Sequence, residues 1–168
     1  MILTAQIIGT LAMIFNIASF QCKKNRHLVF MLGLGSLLFC VSFTMLGAIA
    51  SAGFNIINIL RSVCISKKRL HSNAVFFVLC FLYTIITALA SEGLWTIMLL
   101  ISQIIATYSQ WYKDGTVIRK MQFFVVSPVW LINNIFVTFT IGGIICEIFT
   151  IVSVIVSFIR YRKNGFEI

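Results

Sequence analysis

The chain of 168 residues is 60% hydrophobic and 10% charged, with a formal net charge of +9 and a mean hydropathy of +1.05. A composition this apolar excludes a soluble globular domain and indicates an integral membrane protein. The long apolar runs, 16 phenylalanines and single proline favour α-helices over the alternating strands of a membrane barrel.

Basic clusters divide the chain into apolar segments of the length that a membrane-spanning helix needs, about 17 to 25 residues. Six predicted helices cover residues 3–20, 28–47, 48–66, 72–90, 94–111 and 119–139, and a seventh follows the turn at residues 140–143 and ends at residue 160. We therefore predict an all-α polytopic membrane protein with seven transmembrane helices, a single membrane domain over residues 1–168.

The positive charges are distributed unevenly along these segments. Of the 13 lysines and arginines, all except Arg61 fall at one side of the predicted bundle. Because basic loops remain in the cytoplasm, this asymmetry predicts an N-terminus outside and a cytoplasmic C-terminus. The basic loops of this topology account for the positive net charge, so we expect no nucleic-acid partner.

The first three and last three predicted helices share an order of polar positions, which indicates an internal repeat. The matched pairs are Gln21 with Gln110, Ser36 with Ser127, Phe39 with Trp130, and Asn55 with Glu147. Both units, at residues 3–66 and 94–160, begin on the same side of the membrane, so they are parallel repeats. The helix at residues 72–90 links them, and the predicted architecture is three plus one plus three.

Polar groups inside the apolar helices are the candidate site residues. Glu147 lies in an almost wholly apolar stretch, where a carboxyl group costs a few kcal/mol unless it faces a cavity or a partner. Asn55 and Asn58 follow one face of the third helix, with Arg61 adjacent, although the Arg61 stem could instead extend to the headgroups. The predicted substrate-binding residues are Phe39, Asn55, Asn58, Arg61, Trp130, Asn133, Asn134 and Glu147.

Two aromatic residues and a proline suggest how such a site would work. Trp130 and Phe39 would supply flat surfaces for a sugar or a base, with the asparagines as hydrogen-bonding groups, and simple core filling is the alternative. Pro128 removes a backbone hydrogen bond and is expected to permit a bend in the sixth helix.

Three stretches are similar to those of a known family. They are Asn58-Ile-Leu-Arg61 after the Leu46-Gly47 turn, Trp130-Leu-Ile-Asn-Asn134, and Thr140-Ile-Gly-Gly143 followed by Glu147. This combination resembles the YgjV-type bacterial inner-membrane proteins over nearly the whole chain. The resemblance implies a multi-pass protein of the bacterial inner (plasma) membrane.

A more distant resemblance is to the PQ-loop transporters, which include the SWEET sugar carriers. It rests on the three-plus-one-plus-three topology, the outside N-terminus and the glutamine that closes helices one and five. In that group, an aromatic on the second helix and an asparagine on the third helix of each repeat contact the sugar. Phe39, Trp130 and Asn55 match these positions, and Glu147 departs from them. A carboxylate there implies a proton-coupled step, a cationic or amine-bearing solute, or an internal ion pair.

Together these features predict a transporter or facilitator of a small polar solute, sugar-like or nucleoside-like, that works by alternating access between the two repeats. A non-transporting membrane receptor or scaffold with the same topology is the alternative. The expected partners are the solute, a coupled proton, the lipid bilayer and further copies of the chain in a homo-oligomer. We expect no enzyme, cofactor or metal, because the sequence has no nucleophile with its base, no metal cluster and no phosphate loop.

Overall fold

The computed structural model describes residues 2–67, 70–90, 94–112, 115–136 and 141–163, and these are almost entirely helical. The helices are α1 (Ile2–Ser19), α2 (Asn25–Met45), α3 (Ile49–Ser66), α4 (Asn73–Ala90), α5 (Leu94–Tyr112), α6 (Gly115–Met121), α7 (Ser127–Phe136) and α8 (Ile141–Lys163). A π-helical turn, Gln122–Val126, joins α6 to α7. No strand occurs among the described residues, so the all-α prediction is confirmed.

The observed helices match the predicted ones to within a few residues. The largest differences are at α2 and α6, which begin at Asn25 and Gly115, before the predicted starts at residues 28 and 119. Arginine and lysine favour helices and can direct their charged ends away from the axis, so a basic cluster does not stop a helix. The predicted boundary residues Lys68, Arg69, Ser91, Glu92, Gly93, Lys113, Asp114 and Thr140 lie outside the described residues.

The outer surface of the bundle is apolar, as a bilayer requires. Within the described ranges, three helical segments are long and apolar enough to cross a membrane, namely Arg26–Met45, Ile49–Ser66 and Gly143–Arg160, and the shorter apolar helices are Leu3–Ser19 and Asn73–Leu89. Large apolar side chains such as Ile49 and Leu89 are more than four-fifths exposed, at 81% and 82%. Exposed apolar surface of this extent fits contact with lipid.

Helices adjacent in sequence pack against each other, and α8 returns to contact α1. One buried apolar cluster joins α3, α4 and α5, and consists of Phe54, Ile57, Phe76, Leu79, Tyr83, Leu99 and Trp111. A second joins α2, α6 and α8 to the end of α1, and consists of Phe20, Leu28, Val29, Ile118 and Val154. The two clusters hold in place the helices that carry the polar interior.

The turn between α2 and α3 depends on Gly47, whose φ is 77°. The Ala48 N–H donates to the Phe43 carbonyl at 2.9 Å, and the Gly47 N–H donates to the Thr44 carbonyl at 3.2 Å. This pair of bonds is the Schellman arrangement that ends a helix with a left-handed residue.

Gly47→Ala is expected to lower the free energy of unfolding by about 1 to 2 kcal/mol, because a Cβ atom disfavours the left-handed backbone. The added Cβ would meet no atom within 4 Å, so the loss arises from backbone strain and not from a clash. Gly47→Asn is the matched control and should lose less, since asparagine adopts this conformation more readily. Unfolding of the purified protein in detergent measures both, and an alanine variant as stable as the wild type would contradict the expectation.

Candidate functional site

The helices surround a cavity of about 90 Å³. Its walls are built from the end of α1, from α2, α3, α5, the π-turn, α7 and α8, and none of the described α4 residues contributes. The lining residues are Asn16, Phe20, Leu32, Ser36, Phe39, Phe43, Asn55, Asn58, Arg61, Gln103, Ala106, Gln110, Gln122, Val126, Trp130, Asn134, Gly143, Cys146, Glu147 and Thr150. Amide side chains are prominent in this set, so the cavity suits a polar occupant.

Seven of the eight predicted substrate-binding residues line this cavity, namely Phe39, Asn55, Asn58, Arg61, Trp130, Asn134 and Glu147. The eighth, Asn133, is buried but is not among the lining residues. Consecutive helical residues point about 100° apart, and of this pair only Asn134 is directed to the cavity wall.

Arg61 belongs to the bundle interior and does not extend to the headgroups. It is only 5% exposed, and its Nη1 donates to the Thr107 hydroxyl of α5 at 3.0 Å. The Thr107 hydroxyl in turn donates to the Gln103 carbonyl at 2.7 Å. The Arg61 Nε is buried and has no hydrogen-bond partner. The guanidinium is therefore held at the wall by one neutral group and keeps unused hydrogen-bonding capacity.

Asn58 is oriented from outside the cavity by α4. The Tyr83 hydroxyl donates to the Asn58 Oδ1 at 2.6 Å, and Tyr83 is fully buried. With Oδ1 engaged by Tyr83, the Asn58 amide has a defined orientation at the cavity wall. The linking helix thus positions a lining residue without lining the cavity itself.

Tyr83→Phe is expected to lower the free energy of unfolding by about 1 to 3 kcal/mol, because the buried Asn58 oxygen loses its donor. Tyr112→Phe is the matched control, since the Tyr112 hydroxyl donates to the exposed Asn73 at 2.8 Å and water can replace it. Thermal unfolding of both variants in the same detergent makes the comparison. Equal losses would show that Tyr83 contributes no more than a surface hydroxyl.

Glu147 lies on α8, in the second predicted repeat, and lines the same cavity as the α3 residues. It is partly exposed, but its Oε2 is buried without a hydrogen-bond partner. The hydroxyl of Ser127 interacts with this carboxyl group, and Ser127 also accepts a 2.9 Å hydrogen bond from the Gln122 Nε2. Gln122 and Ser127 thus connect the π-turn to the Glu147 wall.

The π-turn lies directly before Pro128, where a bend was expected. Proline lacks an N–H and its ring collides with the carbonyl four residues earlier, and a wider turn relieves both problems. In a regular α-helix, side chains four residues apart differ in direction by roughly 40°. Gln122 and Asn134 are three such steps apart, so their side chains would point roughly 120° away from each other. The π-turn offsets part of this rotation, and Gln122, Val126, Trp130 and Asn134 all line the cavity.

Buried polar atoms without a partner are concentrated at this cavity. Among the described residues, five buried side-chain atoms have none: Arg61 Nε, Gln103 Oε1, Gln110 Oε1, Glu147 Oε2 and Thr150 Oγ1. All five belong to lining residues. Each buried polar atom without a hydrogen bond costs about 1 to 3 kcal/mol, and folded proteins rarely retain several in one place without a functional reason.

Thirteen of the twenty lining residues were not predicted as site residues, and four of these carry amide side chains, namely Asn16, Gln103, Gln110 and Gln122. Gln110 was noted only as a repeat position, and its counterpart Gln21 instead donates to the Ser153 hydroxyl at 2.8 Å and the Ser153 carbonyl at 2.9 Å. The signal that would have found the others is an amide in an otherwise apolar helix, because lipid offers it no hydrogen bond.

A set of hydrogen bonds outside the cavity joins the end of α1 to α6 and α8. Arg119 is 4% exposed and donates to three carbonyls: from Nε to Phe20 at 3.2 Å, from Nη1 to Gly115 at 2.9 Å, and from Nη2 to Cys22 at 2.7 Å. Ser157 donates to Phe20 at 3.0 Å, and Arg160 donates to Gln21 at 2.7 Å. These bonds satisfy carbonyls that the helix end leaves free. Arg119, predicted only as a boundary charge, thus has a structural role.

Comparison with known families gives a match along almost the whole chain. A family model described as Imp-YgjV, bacterial inner membrane protein, matches residues 3–165. No match was found among curated proteins or among solved structures.

Proposed function

The chain belongs to the Imp-YgjV family of bacterial inner membrane proteins, as its motifs predicted, and from this premise we propose that it transports or facilitates the passage of a small polar solute across that membrane. The observation that carries the proposal is the concentration of five unpartnered buried polar atoms at one cavity. A polar solute that enters the cavity can satisfy them.

The proposed topology is seven crossings, arranged as two three-helix units and a linking helix, with the N-terminus outside and the C-terminus in the cytoplasm. The continuous α6, π-turn and α7 count as one crossing. A site between the two units is supported by the cavity lining, which comes from α1 to α3 and from α5 to α8. None of the described α4 residues lines the cavity. The proposed mechanism is alternating access by movement of one unit against the other.

The size of the cavity limits the solute. An engineered cavity of about 150 Å³ is known to hold benzene, so the present 90 Å³ is too small for a hexose or a nucleoside. Sugar-like or nucleoside-like solutes would require the units to separate further. The cavity in its present form favours a solute of only a few non-hydrogen atoms.

Uptake into proteoliposomes tests the proposal. The purified full chain is first screened by thermal shift against small polyols, amides, amines, carboxylates and amino acids, and each stabilising solute is then tested as a radiolabelled substrate. The double variant Trp130→Ala, Asn58→Ala should lose uptake, because both residues line the cavity. Its matched control is Trp95→Ala, Asn73→Ala, which changes the same residue types at exposed positions and should keep uptake.

Each outcome of this test has a definite meaning. Uptake by the wild type and the control but not by the cavity variant, at equal amounts of folded protein, supports the proposal. Binding without uptake would replace transport by the receptor function. A coupled proton at Glu147, assembly into a homo-oligomer and the lack of enzymatic activity remain predictions.

A further inference from the structure

Two lining residues of the cavity are ionisable, and their ionised forms have opposite charges. Arg61 comes from α3 and Glu147 from α8, and within the described part of the chain neither forms an ion pair. Arg61 is five residues from the end of α3 at Ser66, and Glu147 is six residues from the start of α8 at Ile141. At 1.5 Å per residue these are about 7.5 Å and 9 Å from the respective helix ends.

The hydrogen bonding of Arg61 leaves one side of its guanidinium for a ligand. Nη1 is used by Thr107, while the buried Nε has no partner. The Nε and Nη2 atoms of an arginine form an edge that binds a carboxylate through two parallel hydrogen bonds. A neutral ligand would leave the positive charge without a counter-charge in a site removed from water.

Glu147 has the complementary requirement. Its buried Oε2 lacks a donor, and Ser127 is a neutral neighbour. An ammonium group is a compact donor of three hydrogen bonds and supplies the opposite charge. A carboxylate ligand alone would satisfy Arg61 and leave Glu147 unpartnered, whereas an amine alone would do the reverse.

We infer that the solute is a small zwitterion, a molecule such as glycine or alanine that carries a carboxylate and an ammonium group on a short carbon chain. The carboxylate binds Arg61 and the ammonium binds Glu147, while the cavity amides satisfy the remaining polar atoms. The 90 Å³ volume suits a molecule of this size. The inference rests on the transport role proposed above and specifies the solute of the same cavity.

Calorimetric titration of the purified full chain with a matched set of solutes tests the inference. Glycine and alanine carry both charges, acetate carries one, ethylamine carries the other, and glycerol carries neither. Removing one member of a buried charge pair weakens binding by about thirtyfold or more, so glycine or alanine should bind at least that much more tightly than the other three. Equal or tighter binding of acetate, ethylamine or glycerol would overturn the inference.

Two variants locate the binding. Arg61→Gln and Glu147→Gln should each weaken binding of the zwitterion by at least about tenfold, whereas Asn73→Ala on the exposed face of α4 should not. Unchanged affinity in either glutamine variant would contradict the assigned contacts. If a variant does not fold, the solute series on the wild type still decides the question.

Uptake measurements separate this inference from the transport proposal. Glycine binding without uptake into proteoliposomes would leave the zwitterion site standing and remove the transport role. Uptake of another solute together with no binding of glycine or alanine would leave transport standing and overturn the zwitterion. Binding of no solute in either assay would contradict both.

Discussion

Arg119→Met is expected to lower the free energy of unfolding by about 3 kcal/mol or more, the largest loss of stability predicted for a single side chain of this protein. Arg119 donates to the carbonyls of Phe20 and Cys22 beyond the end of α1 and to Gly115 in its own helix. Hydrogen bonds from a charged donor contribute about 1.5 to 3 kcal/mol each, and methionine replaces none of them. The loss should also loosen α1 from α6.

Denaturant-induced unfolding in one detergent, followed by tryptophan fluorescence, measures this effect. Arg119→Lys is the informative control, since lysine keeps the charge but cannot reproduce the planar arrangement of the guanidinium donors. We expect the lysine variant to fall between the wild type and the methionine variant. A methionine variant within 0.5 kcal/mol of the wild type, which is about the ordinary effect of a surface substitution, would show that the three bonds contribute little.

Arg61→Met is expected to leave the stability unchanged or to increase it, while strongly reducing solute uptake. Arg61 is buried to nearly the same extent as Arg119, but in the described part of the chain it has one neutral partner and no ion pair, and its buried Nε has no partner. Replacing a buried ionic group by an apolar side chain of similar volume is often neutral or stabilising by about 1 to 4 kcal/mol. We therefore expect unchanged or increased stability together with at least a tenfold loss of solute uptake.

The two readouts must be taken from the same preparation of the Arg61→Met variant, with unfolding in detergent and uptake in proteoliposomes. Arg61→Lys is the control, because it keeps a positive charge at the wall but loses the two-bond carboxylate geometry, and it should retain part of the uptake. A loss of stability comparable to that of Arg119→Met would assign Arg61 to the framework. Uptake that survives the methionine change would remove Arg61 from the site.

The contrast between these arginines shows why residue type alone does not define function. Both residues lie near the predicted ends of helices and both are positively charged. Arg119 lies among carbonyl acceptors at a helix end, and its guanidinium donates hydrogen bonds to the Phe20 and Cys22 carbonyls. Arg61 faces a cavity shared with Glu147, and among the described residues it forms no ion pair. The difference lies entirely in what the neighbouring helices bring close to each side chain.

The amino-acid sequence determined the helices and seven of the twenty residues that line the cavity. Apolar runs separated by polar clusters predicted every long helix, because in lipid the backbone must satisfy its own hydrogen bonds. Seven of eight predicted site residues line the cavity, and the amides and charges among them, such as Asn55 and Glu147, avoid lipid by facing inward. Helix formation and the inward orientation of polar side chains depend only on a segment and its surrounding lipid, so the local sequence pattern predicts both.

Only the tertiary structure decided which inward-facing residues share the cavity and which satisfy one another. Asn16 and Gln103 line the wall, but an amide in an apolar helix shows only that its side chain faces inward and not which cavity it lines. Gln21 and Gln110 are matched in the sequence, yet the first is bonded to Ser153 and the second lines the cavity. Two features depend on how the helices pack: hydrogen bonds between residues more than a hundred positions apart, and the π-turn that directs Gln122 to the cavity. No local sequence pattern contains that information.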